Sequence, residues 1–167
     1  MSKKGRHRET VRRAKELIDT LEEGWCFSTG YVQRRAERLW GRASPTEVET
    51  LLEVLGEWGE IRRVDVYGAR LFCRGGDVKG VWLISEGRET AITAGAVEKA
   101  LREIVASMKS QTFHMPSRAL AELLGVKPGT VVNAAVAYLM SAVDGAHFAG
   151  LVSRGIRREK AYFVFRR

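Results

Sequence analysis

Amides and cysteines are scarce in this chain of 167 residues. Asn133 is its one asparagine, Gln33 and Gln111 are its glutamines, and Cys26 and Cys73 are its cysteines. Without a CxxC motif or a Cys/His cluster, no zinc site is expected. The chain has few amide side chains but 20 arginines and 16 glutamates, a composition typical of thermophilic proteins.

Long apolar runs and catalytic motifs are also missing. No run approaches the roughly 20 apolar residues of a membrane span, and residues 1–13 lack the apolar core of a signal peptide. The three histidines show no metal spacing, no Ser/His/Asp or Cys/His arrangement is legible, and GVKPGT lacks the ending of a phosphate loop. We therefore predict a cytoplasmic protein that is not an enzyme, uses no metal or cofactor and binds no membrane.

Positive charge is in excess, with 28 Lys and Arg against 20 Asp and Glu, a net +8. Such an excess favours a polyanionic partner, most often nucleic acid. It fits equally well a solvated surface that its charge keeps soluble.

The first part of the chain predicts the order helix, short strand, helix, helix, hairpin. Residues 8–22 have helical periodicity, 25–27 form a short apolar run, and Ser28 or Thr29 can cap a helix reaching residue 40. Ser44-Pro45-Thr46-Glu47 is a capping box that opens the next helix. EIRRVDVYGARLFCRG (residues 60–75) then alternates apolar and polar residues around Tyr67-Gly68, which predicts a hairpin with arginines on one wet face.

The same order recurs after Gly75-Gly76-Asp77. Residues 81–84 are a short apolar run, either an extra strand or a packed linker. Thr93 then caps a helix, 111–113 match 25–27, and Pro116 and Pro128 open two further helices before a terminal hairpin. We predict an N-terminal domain over 1–76 with a basic arm, a linker or extra strand over 77–92, and a C-terminal domain over 93–167.

This order resembles the winged helix, a helix-turn-helix variant whose hairpin is the wing. The resemblance lies in SPTEVETLLEVLGEWGEIRRVDVYGARLFCR, in PSRALAELLGVKPGTVVNAAVAYLM and in the terminal hairpin. It implies an α+β, mostly α fold of two tandem winged-helix domains, each with three helices and a β-hairpin wing. It also implies double-stranded DNA as partner, with the third helix in the major groove and the wing on the backbone or minor groove.

The two copies differ in how well they suit DNA. The third helix of the first copy carries four glutamates, at 47, 49, 53 and 57, which phosphate would repel. Its cations lie elsewhere, so the candidate contacts are Arg34, Arg35 and Arg38 on the second helix and Arg62, Arg63 and Arg70 on the wing. The alternative for the helix arginines is pairing within their own helix, around Glu37.

The third helix of the second copy has no acids from Lys127 to Ser141. Its asparagine can bond adenine bidentately, or it is a surface residue without a partner. The candidate contacts of this copy are Arg118, Lys127, Thr130 and Asn133, with Arg154, Arg157, Arg158 and Lys160 on the wing. The helix is also apolar nearly all round, which is typical of a helix buried between the two halves or between two chains.

By this resemblance the chain is a non-catalytic DNA-binding protein of transcription regulation or chromosome organisation, associated with the nucleoid. One alternative is a tandem winged-helix assembly subunit of the transcription-machinery, condensin or ESCRT type, and another is an RNA-binding protein. A homodimer or a protein partner would use the acidic helix 45–58 or the apolar helix 128–143. Because winged helices pair the strands that hold Cys26 and Cys73, these residues form either a disulfide, as in hyperthermophiles, or two buried thiols.

Overall fold

The computed structural model describes residues 3–143, 152–157 and 160–166. The helices in these residues are α1 (Lys3–Asp19), α2 (Thr29–Trp40), α3 (Pro45–Glu57), α4 (Ala94–Ser107), α5 (Ser117–Leu123) and α6 (Thr130–Val143). The strands are β1 (Trp25–Ser28), β2 (Arg62–Val66), β3 (Ala69–Cys73), β4 (Gly80–Ser85), β5 (Arg88–Thr93), β6 (Thr112–Pro116), β7 (Val152–Arg157) and β8 (Lys160–Arg166). The expected α+β class is confirmed.

Three helix starts lie where side-chain caps predict them. Ser28, Ser44 and Thr93 each precede a helix, and each accepts a hydrogen bond through its hydroxyl oxygen from a backbone N–H three residues later. Such a bond satisfies one of the N–H groups that the first turn leaves without a partner. Local chemistry therefore sets where α2, α3 and α4 begin.

Two other helix starts differ from the prediction. The helix α1 begins at Lys3 rather than at residue 8, so the basic arm from there on is helical. Arg12 pairs with Glu9 and Glu16 along one face of α1, a spacing that stabilises a helix. The helix α6 begins at Thr130, two residues after Pro128.

The first sheet has five strands in the order β2-β3-β1-β4-β5. The central strand β1 pairs antiparallel with β3 and parallel with β4. Segment 77–92, expected as a linker or an extra strand, thus contributes β4 and most of β5 to this sheet. Both hairpins turn through two residues with positive φ, Tyr67-Gly68 and Glu86-Gly87, as type I′ turns require.

The central strands of the first sheet are buried on both faces. Along β1, Phe27 belongs to the hydrophobic cluster formed with α1, α2 and α3, whereas Cys26 belongs to the cluster shared with α4 and α6. Along β3, Phe72 faces the first cluster and Leu71 the second. On the predicted wet face of β3, Arg70 is therefore exposed as expected, whereas Phe72 is buried because helices cover that part of the sheet.

The second sheet has three strands in the order β6-β8-β7. In this sheet β6, the strand before α5, pairs with the last strand, β8. In the first sheet β1, the strand before α2, pairs with β3 in the same way. The order of elements thus occurs twice, and we call residues 1–93 the first unit and residues 94–167 the second unit. The first sheet adds β4 and β5 to this common arrangement.

The helix α6 joins the two units. It packs against α4 and α5 of its own unit and against strands of the first sheet. Ala134, Ala135 and Leu139 are completely buried, and Tyr138 accepts hydrogen bonds at its hydroxyl from Nη1 and Nη2 of Arg62, at 3.3 and 3.4 Å. The apolar character of this helix follows from contacts on several sides, as one of the sequence-based alternatives expects.

A disulfide joins β1 to β3. Cys26 and Cys73 are directly opposite each other in the strand register, with their Cα atoms 3.9 Å apart and their sulfur atoms bonded. Both residues are buried. The register of the first sheet therefore determines that these two side chains meet.

Candidate nucleic-acid interface

Net charge is distributed unevenly between the two units. The first unit has 17 Lys and Arg against 15 Asp and Glu, a net charge of +2. The second unit has 11 against 5, a net charge of +6. Most of the positive excess that favours a polyanionic partner therefore lies in the second unit.

The candidate arginines of α2 bond to groups of the same chain. Arg34 donates through Nη1 to the carbonyl oxygen of Gly87, at 2.5 Å. Arg38 pairs with Glu89 of β5 at 2.9 Å, and Arg35 donates to the hydroxyl of Tyr31 at 2.7 Å. Pairing within the helix was the expected alternative, but the bonds of Arg34 and Arg38 attach α2 to the β4–β5 hairpin. The local sequence pattern does not reveal that this hairpin belongs to the first sheet.

The candidate arginines of the β2–β3 hairpin are also engaged. Arg63 pairs with Asp65 at 3.0 Å and Arg70 pairs with Glu49 at 3.4 Å. Arg62 bonds to Tyr138 of α6. These pairs are exposed, so each adds little to stability, but they occupy the guanidinium groups that would otherwise face phosphate.

Acidic side chains along α3 have basic neighbours in the first unit. Glu47 lies 3.4 Å from Arg13, whose guanidinium also lies over the ring of Trp40 at 4.8 Å from its centroid. Glu49 has Arg70 as its partner. Between α3 and the β2–β3 hairpin lies a groove of about 130 Å³, lined in part by Glu53, Arg63 and Arg70. This surface mixes both signs of charge and does not suit a polyanion.

A further ion-pair network covers α1. Hydrogen bonds from Arg12 and Arg13 lower the pKa of Glu9. A hydrogen bond from the indole of Trp40, together with the charge of Arg12, lowers the pKa of Glu16. These bonds therefore favour the ionised forms of both carboxylates.

The second unit has cations that remain unpaired. Arg118, in the first turn of α5, and Lys127, in the turn between α5 and α6, are exposed and form no ion pair within the described residues. Thr130 is exposed in the first turn of α6. Lys109, between α4 and β6, is another exposed cation of this kind that the sequence reasoning missed, because no motif surrounds it.

The middle of α6 does not face solvent. Asn133 is half-buried, and its Oδ1 is buried without a hydrogen-bond partner in the part of the chain that the structure describes. Ala134 and Ala137, in the same part of the helix, are buried. The exposed residues of α6 lie at its two ends, Thr130 and Val131 in the first turn and Ser141 and Ala142 in the last.

The candidate residues of the second hairpin are described in part. The backbone register pairs Arg157 of β7 with Lys160 of β8 and Arg154 with Phe163, so these strands form the expected hairpin. The side chains of Arg154, Arg157 and Lys160, and the whole of Arg158, lie outside the described residues.

Within the described ranges, no group of three or more His, Cys, Asp or Glu could hold a metal ion. None of the helices described is long and apolar enough to cross a membrane.

Comparison with known proteins adds a distant structural likeness. No family model matches the chain, and no curated protein matches it. Among solved structures, the chain is similar to a hypothetical protein, PyrSV_gp04, from Pyrobaculum spherical virus. The two chains are 16% identical, the match covers 95% of each, and the TM-score is 0.48.

Proposed function

We propose that the chain is a non-catalytic protein that binds double-stranded DNA through its second unit, as a tandem winged-helix protein of transcription regulation or chromosome organisation. The observation that carries the proposal is the net charge of +6 in that unit, together with exposed cations that form no ion pair within the described residues. Phosphate contacts release counterions and dominate the affinity of such proteins.

The mode of contact follows from the burial of α6. A recognition helix that enters the major groove must expose one face along several turns, whereas α6 is exposed only near its two ends. Lys127 and Thr130, with Arg118 of α5, therefore contact phosphates at the edge of a groove. Such contacts position a protein on the duplex without reading much sequence, so weak sequence preference is part of the proposal.

Binding to duplex DNA at increasing salt concentration tests this function. Six phosphate contacts give a slope of roughly −5 for the logarithm of the affinity against the logarithm of the salt concentration. The wild-type chain should bind duplexes of unrelated sequence with similar affinity. Absence of binding at low salt would overturn the proposal, and tighter binding to duplex RNA would replace DNA by RNA as the partner.

The terminal hairpin provides a separate test. Replacing Arg157 and Arg158 together by alanine should weaken binding to every duplex alike and make the salt slope less steep. If this double variant binds like the wild type, the second hairpin is not part of the contact.

A subunit of a larger protein assembly is the second candidate function. It is favoured by α3, which presents exposed carboxylates beside the exposed ring of Trp58 and the groove shared with the β2–β3 hairpin. Affinity purification of wild-type chain and a Trp58→Lys variant from its native cells distinguishes the two functions. A stoichiometric partner lost only with Trp58→Lys, with no DNA binding by the purified chain, would support this second candidate.

A further inference from the structure

The first two turns of α1 carry a basic cluster, residues 3–8, which we call the arm. Its sequence, KKGRHR, contains four Lys and Arg and no Asp or Glu. The rest of the first unit has 13 Lys and Arg against 15 Asp and Glu, a net charge of −2. The positive excess of the first unit is therefore concentrated in the arm.

The arm extends beyond the part of α1 that packs into the core. Arg6, His7 and Arg8 are exposed, and from residue 5 onward the first buried residue of α1 is Ala14. By helical spacing His7 shares a face with Ala14 and Ile18, which are both buried. The arm therefore faces solvent even on the side that is enclosed further along the helix.

The arginines of the arm are not bonded to carboxylates. Arg6 and Arg8 form no ion pair within the described residues, whereas Arg12 and Arg13, further along α1, both pair with Glu9. A guanidinium without such a partner can contact phosphate without first losing a bond.

The composition of the arm favours phosphate over other partners. A helix on a membrane surface buries an apolar face, a protein interface has an apolar centre, and a surface for single strands offers aromatic rings for stacking bases. The arm has no apolar side chain and no Phe, Tyr or Trp. Its chemistry therefore suits the phosphates of a duplex.

The arm and the cations of the second unit belong to layers on opposite faces of the first sheet. The helix α1 packs in the cluster that contains Phe27, whereas α5 and α6 pack in the cluster that contains Cys26, and neighbouring residues of a strand point to opposite faces. One duplex would have to bend around the molecule to reach both layers. DNA resists such bending, because its persistence length is about 150 base pairs.

We propose that the arm binds a second duplex, so that one chain bridges two segments of DNA. This inference rests on the proposed function, because the second unit holds the first duplex. It adds a contact surface to that function, and it favours chromosome organisation over transcription regulation, since bridging brings separate DNA segments together.

Capture of one duplex by another tests bridging with the full chain. One duplex is fixed to beads, a labelled duplex of unrelated sequence is in solution, and the wild type should recover the label on the beads. Arg6→Ala combined with Arg8→Ala should lower this recovery about tenfold, since two phosphate contacts are lost. This variant should bind a single duplex with nearly the wild-type affinity, because the second unit is unchanged. Alanine favours helix, so the variant retains α1.

Two matched variants separate contact by the arm from total charge. Arg6→Lys combined with Arg8→Lys keeps both positive charges and should bridge like the wild type. Lys15→Ala combined with Arg88→Ala removes the same charge from exposed positions of the first unit outside the arm. This second variant should also bridge like the wild type.

Four results would overturn the proposal. A wild type that binds a single duplex but recovers no label would end it and leave the proposed function intact. Equal recovery by the wild type and by the double alanine variant of the arm would do the same, as when two chains associate to bridge. Preferential recovery of labelled duplex RNA would replace DNA as the partner of the arm. Loss of single-duplex binding in the arm variant would overturn both proposals, because the arm would then be the main contact.

Discussion

In the first unit, the arginines of α2 and of the β2–β3 hairpin bond to a carboxylate, a hydroxyl or a carbonyl of the same chain. In the second unit, Arg118 and Lys127 have no ion pair within the described residues. The candidate contacts of the two units thus differ in whether they are already bonded, although exposed Lys15, Arg42 and Arg88 of the first unit also form no ion pair within the described residues. A count of arginines does not locate a binding surface, because a guanidinium that is already bonded must lose that bond to contact phosphate.

The units also differ in how far their sheets are enclosed. The first sheet has helices on both faces, an added hairpin and a disulfide between β1 and β3. In the second sheet, Phe113 packs on Phe165 in the corresponding pair of strands, β6 and β8. Among the described residues, the sheet of the first unit is therefore the more fully enclosed of the two.

Removal of the disulfide should have the largest effect on this difference. Replacing Cys26 and Cys73 together by serine releases a loop with a sequence separation of 47 residues. Loop-closure entropy then predicts a loss of about 4 kcal/mol in the free energy of unfolding. Chemical denaturation measures this loss, and hydrogen exchange should show reduced protection in β1 and β3 more than in β6 and β8. Equal loss of protection in both sheets would show that the two units unfold together, against the expected difference between them.

A charge placed in the buried middle of α6 should lower the free energy of unfolding much more than a charge placed on its exposed surface. Ala134 is completely buried, one helical turn before Tyr138. Ala134→Asp should lower the free energy of unfolding by about 3 kcal/mol, since an unpaired carboxylate would lose its hydration. Ser141→Asp, on an exposed position of the same helix, should change it by less than about 0.5 kcal/mol. Similar losses in the two variants would show that α6 is not held between the units.

Removal of unpaired cations should weaken DNA binding more than removal of paired cations. Arg118→Ala combined with Lys127→Ala should weaken DNA binding about tenfold and make the salt slope less negative by about 2, one phosphate contact for each residue. Arg63→Ala combined with Arg70→Ala removes the same charge from pairs with Asp65 and Glu49. That control should retain nearly the wild-type affinity and slope. A larger loss in the control would place the contact in the first unit.

Acidification should have the smallest effect, confined to the first unit. The folded-state pKa values of Glu9 and Glu16 are lowered by bonds from Arg12, Arg13 and Trp40. Their contribution to stability is therefore present above the unfolded value of about 4.5 and is lost as pH falls through the lower folded values. Glu9→Gln combined with Glu16→Gln should flatten the decrease in unfolding free energy over this range, which chemical denaturation at a series of pH values measures.

Much of the local structure could be predicted from the sequence. Ser28, Ser44 and Thr93 indicated helix starts because a hydroxyl satisfies N–H groups only a few residues away. The Tyr67-Gly68 turn was equally legible, since two residues with positive φ between strands suit a type I′ hairpin. These features depend on contacts between residues only a few positions apart, so the sequence alone shows which residues are involved.

The candidate site was less accessible to sequence reasoning. Arg38 was expected either to contact DNA or to pair within its helix, and its partner is Glu89, 51 residues away. The role of β4, which pairs in parallel with β1, also depends on a long-range contact. Nothing within either segment distinguishes these outcomes from a linker or a free surface arginine.

The sequence by itself determined the caps, the tight turns, the recurring order of elements and the excess of positive charge, because each depends on residue type and short-range spacing. Tertiary structure decided which arginines are already bonded, that α6 is enclosed between the units, and that β1 gains a second neighbour while β6 has one among the described strands. Those outcomes depend on side chains that meet only when distant segments pack against each other. The local sequence pattern fits several possible partners equally well, and only the packing selects one of them.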